Sequence, residues 1–274
     1  FSPVGLEVGF GPGESLPPLR FTLPNGITLE LVGRIDRVDK AVGEQGLLVR
    51  IIDYKSSQQE LRLDELYYGL AWQMLVYLDV VLTYARDWLG SDAQPAGVLY
   101  FHVHHPLIRS ERELSAEELE AELLKRFRMR GLLLAEPEVA QLMDQTLKTG
   151  YSRIIPVALK KDGSFYSSSS VISRQDFEQL RSYVRAEIHR IGERLLSGEN
   201  HIQPFRLRQK TACTFCPYRP VCQFDPTLEG NAYRMLKREK AEEILNRIRA
   251  KKTDIEGRAH SDKGTYAEPE MHAV

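Results

Sequence analysis

The chain has 274 residues, of which 42% are hydrophobic and 27% charged, and its formal net charge is -1. This is the composition of an ordinary soluble globular protein, long enough for one large domain or two small ones. Near-zero net charge excludes bulk attraction to nucleic acid, so a nucleic-acid role would have to rest on a local patch. No apolar run is long enough to span a bilayer and no signal peptide is legible, which favours the cytoplasm and no membrane partner.

The chain opens at Phe1 on a Gly/Pro-rich extended stretch to Pro18, read as the lead-in of a piece of a longer chain. Arg20–Leu23 and Ile27–Arg34 flank Pro24-Asn25-Gly26, a hairpin signal. After the turn Gly43–Gly46, the Val/Ile/Leu-rich run Leu47–Tyr54 predicts a central strand buried on both faces. Leu63–Arg86 carries apolar residues at helical spacing and predicts one long helix, with Asp64 at its dipole-favoured start. Gly90–Pro95 is a loop and Ala96–His104 a fourth strand. Ser115 with Glu118 forms a capping box that opens a helix over 115–129. A helix over 138–148 and a short strand over 153–159 follow. Ser173 caps a long helix that Gly198 stops. The segment 231–252 reads as a charged helix, solvated or partner-facing, and the last twenty or so residues as disordered. No internal repeat is present. The predicted divisions are a lead-in 1–18, a main body 19–226 that includes the cysteine cluster, and a tail 227–274.

Asp36 and Asp53 close two strand-like runs, and Lys55 follows Asp53 by two residues, on the same strand face. Two carboxylates at strand ends suit a hard divalent cation, and an ammonium beside them suits a phosphoryl oxygen. Each residue taken alone reads more simply as a solvated turn residue. Asp53, however, ends a buried run and needs a partner or a metal. Gly33 permits close backbone approach near Asp36. Gln73 and Tyr77 lie four apart on one helix face, where they suit hydrogen bonding to such a site as well as plain packing.

The three cysteines are Cys213, Cys216 and Cys222. An odd, clustered count argues against a disulfide framework and for metal. A closed structural site needs four ligands, so either zinc with His201 as the fourth, or a cluster completed from elsewhere, fits the spacing.

Other features carry less. His102, His104 and His105 suggest a metal cluster but lack an evident carboxylate. Arg34, Arg37, Lys55, Arg206, Arg208 and Lys210 are candidates for a phosphate-backbone surface. No Gly-x-x-x-x-Gly-Lys-Ser/Thr loop is present, so ATP hydrolysis would belong to a partner.

Gly33-Arg34-Ile35-Asp36, Asp53-Tyr54-Lys55 and Gln73-Met74-Leu75-Val76-Tyr77 resemble, in this order, the motifs of the RecB-type branch of the PD-(D/E)xK nuclease superfamily. The resemblance implies a restriction-endonuclease-like α/β fold, a mixed sheet flanked by helices, with a C-terminal Cys-rich metal-binding segment. It implies magnesium held by Asp36, Asp53 and the Tyr54 carbonyl, with Lys55 as water-orienting group and Gln73 and Tyr77 in support. Members also carry a His or Glu on a helix upstream of the first Asp, which residues 1–35 do not supply. The cysteine spacing, Tyr67–Leu75 and Tyr100–His104 further resemble the iron–sulfur nucleases of the AddAB family of bacterial helicase–nucleases. That implies a 4Fe-4S cluster on Cys213, Cys216 and Cys222 with a fourth cysteine outside this chain. It also implies single-strand DNA exonuclease action, 5′→3′, beside an AddA-like helicase subunit in recombinational break repair. Readings outside catalysis are a DNA-end-binding module with a silent site and a zinc-stabilised scaffold.

Overall fold

The computed structural model describes residues 1–104 and 106–261, with side chains as far as Lys251. His105 and the far end of the tail read as disordered lie outside the described residues.

The first half builds the sheet. Strand β1 (Ser2–Phe10) is followed by the small hairpin β2 (Leu19–Thr22) and β3 (Thr28–Leu31), then by β4 (Gly33–Gly43) and β5 (Gly46–Lys55). Helices α1 (Leu63–Tyr67), α2 (Gln73–Thr83) and α3 (Ala85–Leu89) lead to β6 (Ala93–His102). Then come α4 (Ala116–Arg126), β7 (Arg130–Leu134), α5 (Pro137–Met143), β8 (Gly150–Tyr151), β9 (Ala158–Leu159), β10 (Val171–Ile172) and α6 (Arg174–Leu196). After α6 lie β11 (Phe205–Leu207), β12 (Lys210–Thr211), α7 (Arg219–Cys222), β13 (Arg234–Leu236) and α8 (Ala241–Ser261).

The expected mixed α/β architecture is present. Six strands order as β1-β4-β5-β6-β7-β10. β1, β4 and β5 pair antiparallel, β5 and β6 parallel, β6 and β7 antiparallel, and β7 and β10 parallel. The parallel β5/β6 pair requires a crossover, and α1 to α3 provide it. β5 sits in the middle and is buried from Leu48 to Asp53, as its Val/Ile/Leu-rich run predicts, with Arg50 inside it paired to Asp39. α2 packs on β5, β6 and α6.

Several expectations change. The 1–18 lead-in contains β1, an edge strand of the main sheet. The single helix over 63–86 is broken, because Gly69 takes a left-handed φ of 83° and stops α1. The Trp72 indole then donates to the Leu66 carbonyl at 2.7 Å, and the chain restarts at Gln73. The helix from Ser115 keeps its reciprocal capping box but ends at Arg126, and β7 follows. Leu132-Leu133-Leu134 lacks the alternation that marks a strand, so this short buried run gives no periodic signal. The helix expected over 138–148 ends at Met143, and the strand expected over 153–159 shrinks to β9.

The charged tail helix is not a solvated appendage. Ile244 and Ile248 join the core, and Arg249 pairs with Asp176. Arg238 bonds both Asp64 and Glu65 on α1, where Lys210 also meets Glu65 at 3.0 Å. Burial alone would raise both carboxyls, but Arg62 and Arg238 at Asp64, and Lys210 and Arg238 at Glu65, hold them below their ordinary values.

Two outcomes follow from this packing. A Cβ on Gly131, whose φ is +149°, would meet the Val98 carbonyl oxygen at 2.0 Å, so Gly131→Ala must push β7 off β6. Its expected cost is about 4 kcal/mol, seen as a lowered urea midpoint at unchanged slope, and a wild-type midpoint would contradict this register. The depressed carboxyls contribute stability that is complete above the ordinary carboxylate range, about pH 4, and is lost as pH falls through their folded values. Acidification should therefore speed hydrogen exchange in 234–251 before β5 is exposed; simultaneous release of both would contradict it.

Candidate active site

The β4/β5 hairpin sets the site. Arg37 pairs with Ile52, so one further step along the register places Asp36 opposite Asp53. The backbone N–H of Tyr54 donates to Asp36 Oδ2 at 2.8 Å, which fixes that carboxylate against the end of β5. Asp53 is 1% exposed, and its Oδ2 makes no hydrogen bond of acceptable geometry. Lys55 Nζ approaches that oxygen to 2.7 Å as an ion pair. Burial pushes the Asp53 carboxyl up from its ordinary value; Lys55 opposes the shift and the Asp36 charge adds to it.

The break at Gly69 turns α2 so that its first residue reaches the same cluster. Lys55 Nζ donates to Gln73 Oε1 at 3.1 Å, and Gln73 Nε2 donates to the Tyr77 hydroxyl at 2.9 Å. Tyr77 meets the edge of Phe10 with ring centroids 5.9 Å apart. Gly33 has a structural reason beneath this contact, since an added Cβ would lie 2.8 Å from the Phe10 ring. Asp36, Asp53, Lys55, Gln73 and Tyr77 are thus brought together. Beside them Tyr100 pairs in register with Asp53, and burial together with the Asp53 charge pushes its hydroxyl up to about 12.

The opposite face of the hairpin holds a separate charged group. Asp39 accepts from Arg37 at 2.7 Å and from Arg50 at 2.7 Å, and Arg37 donates to the Tyr54 hydroxyl at 3.3 Å. Tyr54 is therefore held on both sides, by its side chain here and by its N–H at Asp36.

The donor chemistry fits a hard divalent cation. Two adjacent carboxylates, one of them buried and faced by a single ammonium, would gain from an oxygen-seeking ion. Among the described residues no group of three or more His, Cys, Asp and Glu converges on a metal position, the cysteines included. Cys213 and Cys216 are half-buried and Cys222 is exposed, on the turn segment between β12 and the end of α7. Their thiols fit iron–sulfur or zinc chemistry as donors, but neither they nor His201 are gathered around a common point.

Two other expectations are corrected. His102 and His104 stack on each other at 4.0 Å and bond to backbone carbonyls, so they form no metal cluster. The basic surface drawn from Arg34, Arg37, Lys55, Arg206, Arg208 and Lys210 is not assembled. Arg37 is taken by Asp39, Lys210 by Glu65, and Arg206 lies over the Tyr233 ring. The basic wall is elsewhere: Lys125, Arg126, Arg128 and Arg130 line a cleft of about 470 Å³ that begins at Lys55 and Tyr100. In sequence these residues fall in or just after a capped helix. The available signal in the sequence is the local density of cations, Lys125-Arg126 and Arg128-x-Arg130, where that helix ends.

The family model described as the PD-(D/E)XK nuclease superfamily matches residues 1–223. The chain is 54% identical over 249 residues to a Bacillus licheniformis protein named as a subunit of an ATP-dependent helicase/deoxyribonuclease, covering 91% of this chain and 21% of that protein. It is 52% identical over 261 residues to the protein so named in Bacillus subtilis, covering 95% of this chain and 22% of that protein. For the Geobacillus kaustophilus protein of that name, identity is 53% over 250 residues, covering 90% and 21%. The chain spans about a fifth of the length of these relatives.

Proposed function

This chain belongs to the PD-(D/E)XK nuclease superfamily, and we propose that it is the nuclease unit of a helicase–deoxyribonuclease subunit, hydrolysing phosphodiester bonds in DNA. The observation that carries the reading is the buried Asp53 carboxylate, set opposite Asp36 and 2.7 Å from the Lys55 ammonium. The unit extends from β1 through the packed part of α8, since both contribute to one body.

In this reading Asp36 and Asp53 are the metal ligands, with the Tyr54 carbonyl as a third oxygen. Magnesium, when bound, would supply Lewis-acid stabilisation of the phosphoryl charge and a water of lowered pKa. Lys55 holds its ammonium where charge grows on the phosphoryl oxygens and orients the attacking water. Gln73 fixes Lys55 by accepting a hydrogen bond from its ammonium, and Tyr77 fixes Gln73. The substrate is a single DNA strand, cut 5′→3′ as an exonuclease in the cytoplasm. The strand is delivered by a partner helicase subunit during recombinational repair of double-strand breaks. Support for the partner is that the relatives are named as one subunit of a helicase/deoxyribonuclease.

The three cysteines are proposed as ligands of a 4Fe-4S cluster whose fourth thiolate comes from outside residues 1–274. Thiol chemistry and spacing support this, and closing the site requires the 213–222 segment to tighten from its present open arrangement.

Replacing Asp36 or Lys55 by Ala in the full-length protein, assembled with its partner, should lower cleavage of one strand by at least ~10²-fold and spare unwinding. Cleavage that survives both changes rejects the assignment, and loss of unwinding as well would point to a DNA-end-binding role. Anaerobic purification should give iron and an absorption band near the visible that fades on reduction, both lost in Cys213→Ala. Zinc in place of iron would favour the scaffold reading of this segment.

A further inference from the structure

The cleft that opens at Lys55 continues the active-site face along one row of the sheet. The register pairs Asp53 with Tyr100 and Tyr100 with Arg130, so all three point to one face. A second row pairs Lys55 with His102. Two strand spacings put Arg130 about 10 Å from Asp53, close to the axial length of three stacked nucleotides. Arg130 is thus neither a metal-site residue nor remote from it.

The wall of the cleft differs from the rest of the arginine-rich surface. Elsewhere guanidinium groups mostly have carboxylate partners, as at Arg20, Arg86, Arg181 and Arg247. Among the described residues no ion pair engages Arg126, Arg128 or Arg130, and only Lys125 is paired, with Glu122. Arg128 donates to the Ile155 carbonyl, and burial lowers its pKa from the ordinary value. Glu60 is the one acidic side chain in the lining among the described residues. A chain of net charge -1 thus concentrates unpaired cations in one cleft beside its acidic site.

The floor adds π-faces. Tyr100, His102 and His104 line it, and the two imidazoles stack on each other at 4.0 Å. Cations on one wall and aromatic rings on the floor are what an unpaired polynucleotide requires: fixed charge for the backbone, a stacking surface for bases. Without exposed bases the rings have no ligand, which disfavours an intact duplex here.

We propose that this cleft is the track of the strand being cut, with Arg126 and Arg130 contacting its phosphates, Arg130 about three nucleotides from the scissile bond, and His104 stacking on a base. The inference rests on the nuclease reading above and deepens it by naming where the strand lies and which residues position it. Arg126, Arg130 and His104 are positioning residues; they do not touch the reacting phosphorus.

The test uses the full-length protein assembled with its partner and no ATP, with oligo-dT as probe. In an Asp36→Ala background, 4-thiothymidine-substituted oligo-dT should photo-crosslink to His104 and the 126–130 peptide. With Asp36 intact, Arg126→Gln/Arg130→Gln should raise KM for oligo-dT about tenfold, with a much smaller change in kcat. Losing two phosphate contacts should also flatten the log–log salt dependence of kcat/KM by about 1.4. Arg126→Lys/Arg130→Lys should restore most of both, which a folding defect would not. Crosslinks that map away from these residues, or an unchanged salt slope, overturn the track while leaving the nuclease reading intact if Asp36→Ala is inert. Cleavage persisting in Asp36→Ala would instead overturn the nuclease reading.

Discussion

A carboxylate at the end of the buried stretch of β5 constrains this molecule more than any other group. Asp53 follows Leu48 through Ile52, all buried, and cannot reach bulk water. Its charged form is therefore costly, and burial is the largest influence on its pKa. One ammonium at 2.7 Å offsets part of that cost, while Asp36 opposite adds to it. Two anions and one bound cation leave an excess of negative charge in a poorly solvated place. Such a cluster is stable only while the scaffold over-determines it, and a divalent ion would complete its charge balance.

The scaffold does over-determine it, through topology. An antiparallel hairpin places Asp36 and Asp53 side by side with a two-residue turn at the far end. The next strand is parallel, so the chain must cross back over the sheet before pairing. That crossover is where Gln73 and Tyr77 enter. A continuous helix from Leu63 would carry one axis throughout; Gly69 and the Trp72-to-Leu66 bond allow α2 its own direction. The lysine is thus held by a residue eighteen positions later. A glycine with no role in chemistry is as necessary to the arrangement as the groups it positions.

Legibility from sequence follows the range of the determining forces. The central strand, the capping box at Ser115 and the cap at Ser173 rest on neighbouring residues and lie where the sequence puts them. The Asn25-Gly26 hairpin forms, although its second strand stops at Leu31 rather than Arg34, and Asp36 stands inside β4 rather than at a strand end. The motif residues Asp36, Asp53, Lys55, Gln73 and Tyr77 are also visible, because strand alternation and helical spacing bring them to defined faces. What the sequence does not reveal depends on distant partners. β7 exists because β6 offers an edge and Gly131 allows close approach, not because Arg130–Leu134 has a strand period. β1 looks structureless until β4 is beside it. The basic surface is misplaced for a related reason: a positive side chain in sequence carries no mark of the carboxylate that neutralises it.

The tail makes the same point energetically. Residues 231–252 read as a solvated or partner-facing helix because Glu239, Glu242 and Glu243 balance its lysines and arginines. In the fold those charges meet specific partners: Arg238 meets Asp64 and Glu65, Glu239 meets Tyr68 and Arg247, and Arg249 meets Asp176. Exposed pairs contribute little, but Asp64 is nearly inaccessible, and removing its cations would strand a buried charge. The same cluster joins two regions that sequence keeps apart. Lys210 belongs to β12, the strand that leads into the cysteine segment, while Glu65 belongs to the crossover that carries Gln73. Any tightening of the cysteine segment therefore acts on an element ion-paired to α1, and α1 is separated from the Lys55 partner only by the turn at Gly69. The metal-binding chemistry of the thiols and the carboxylate cluster are thus mechanically adjacent, although about 160 residues separate them in the chain.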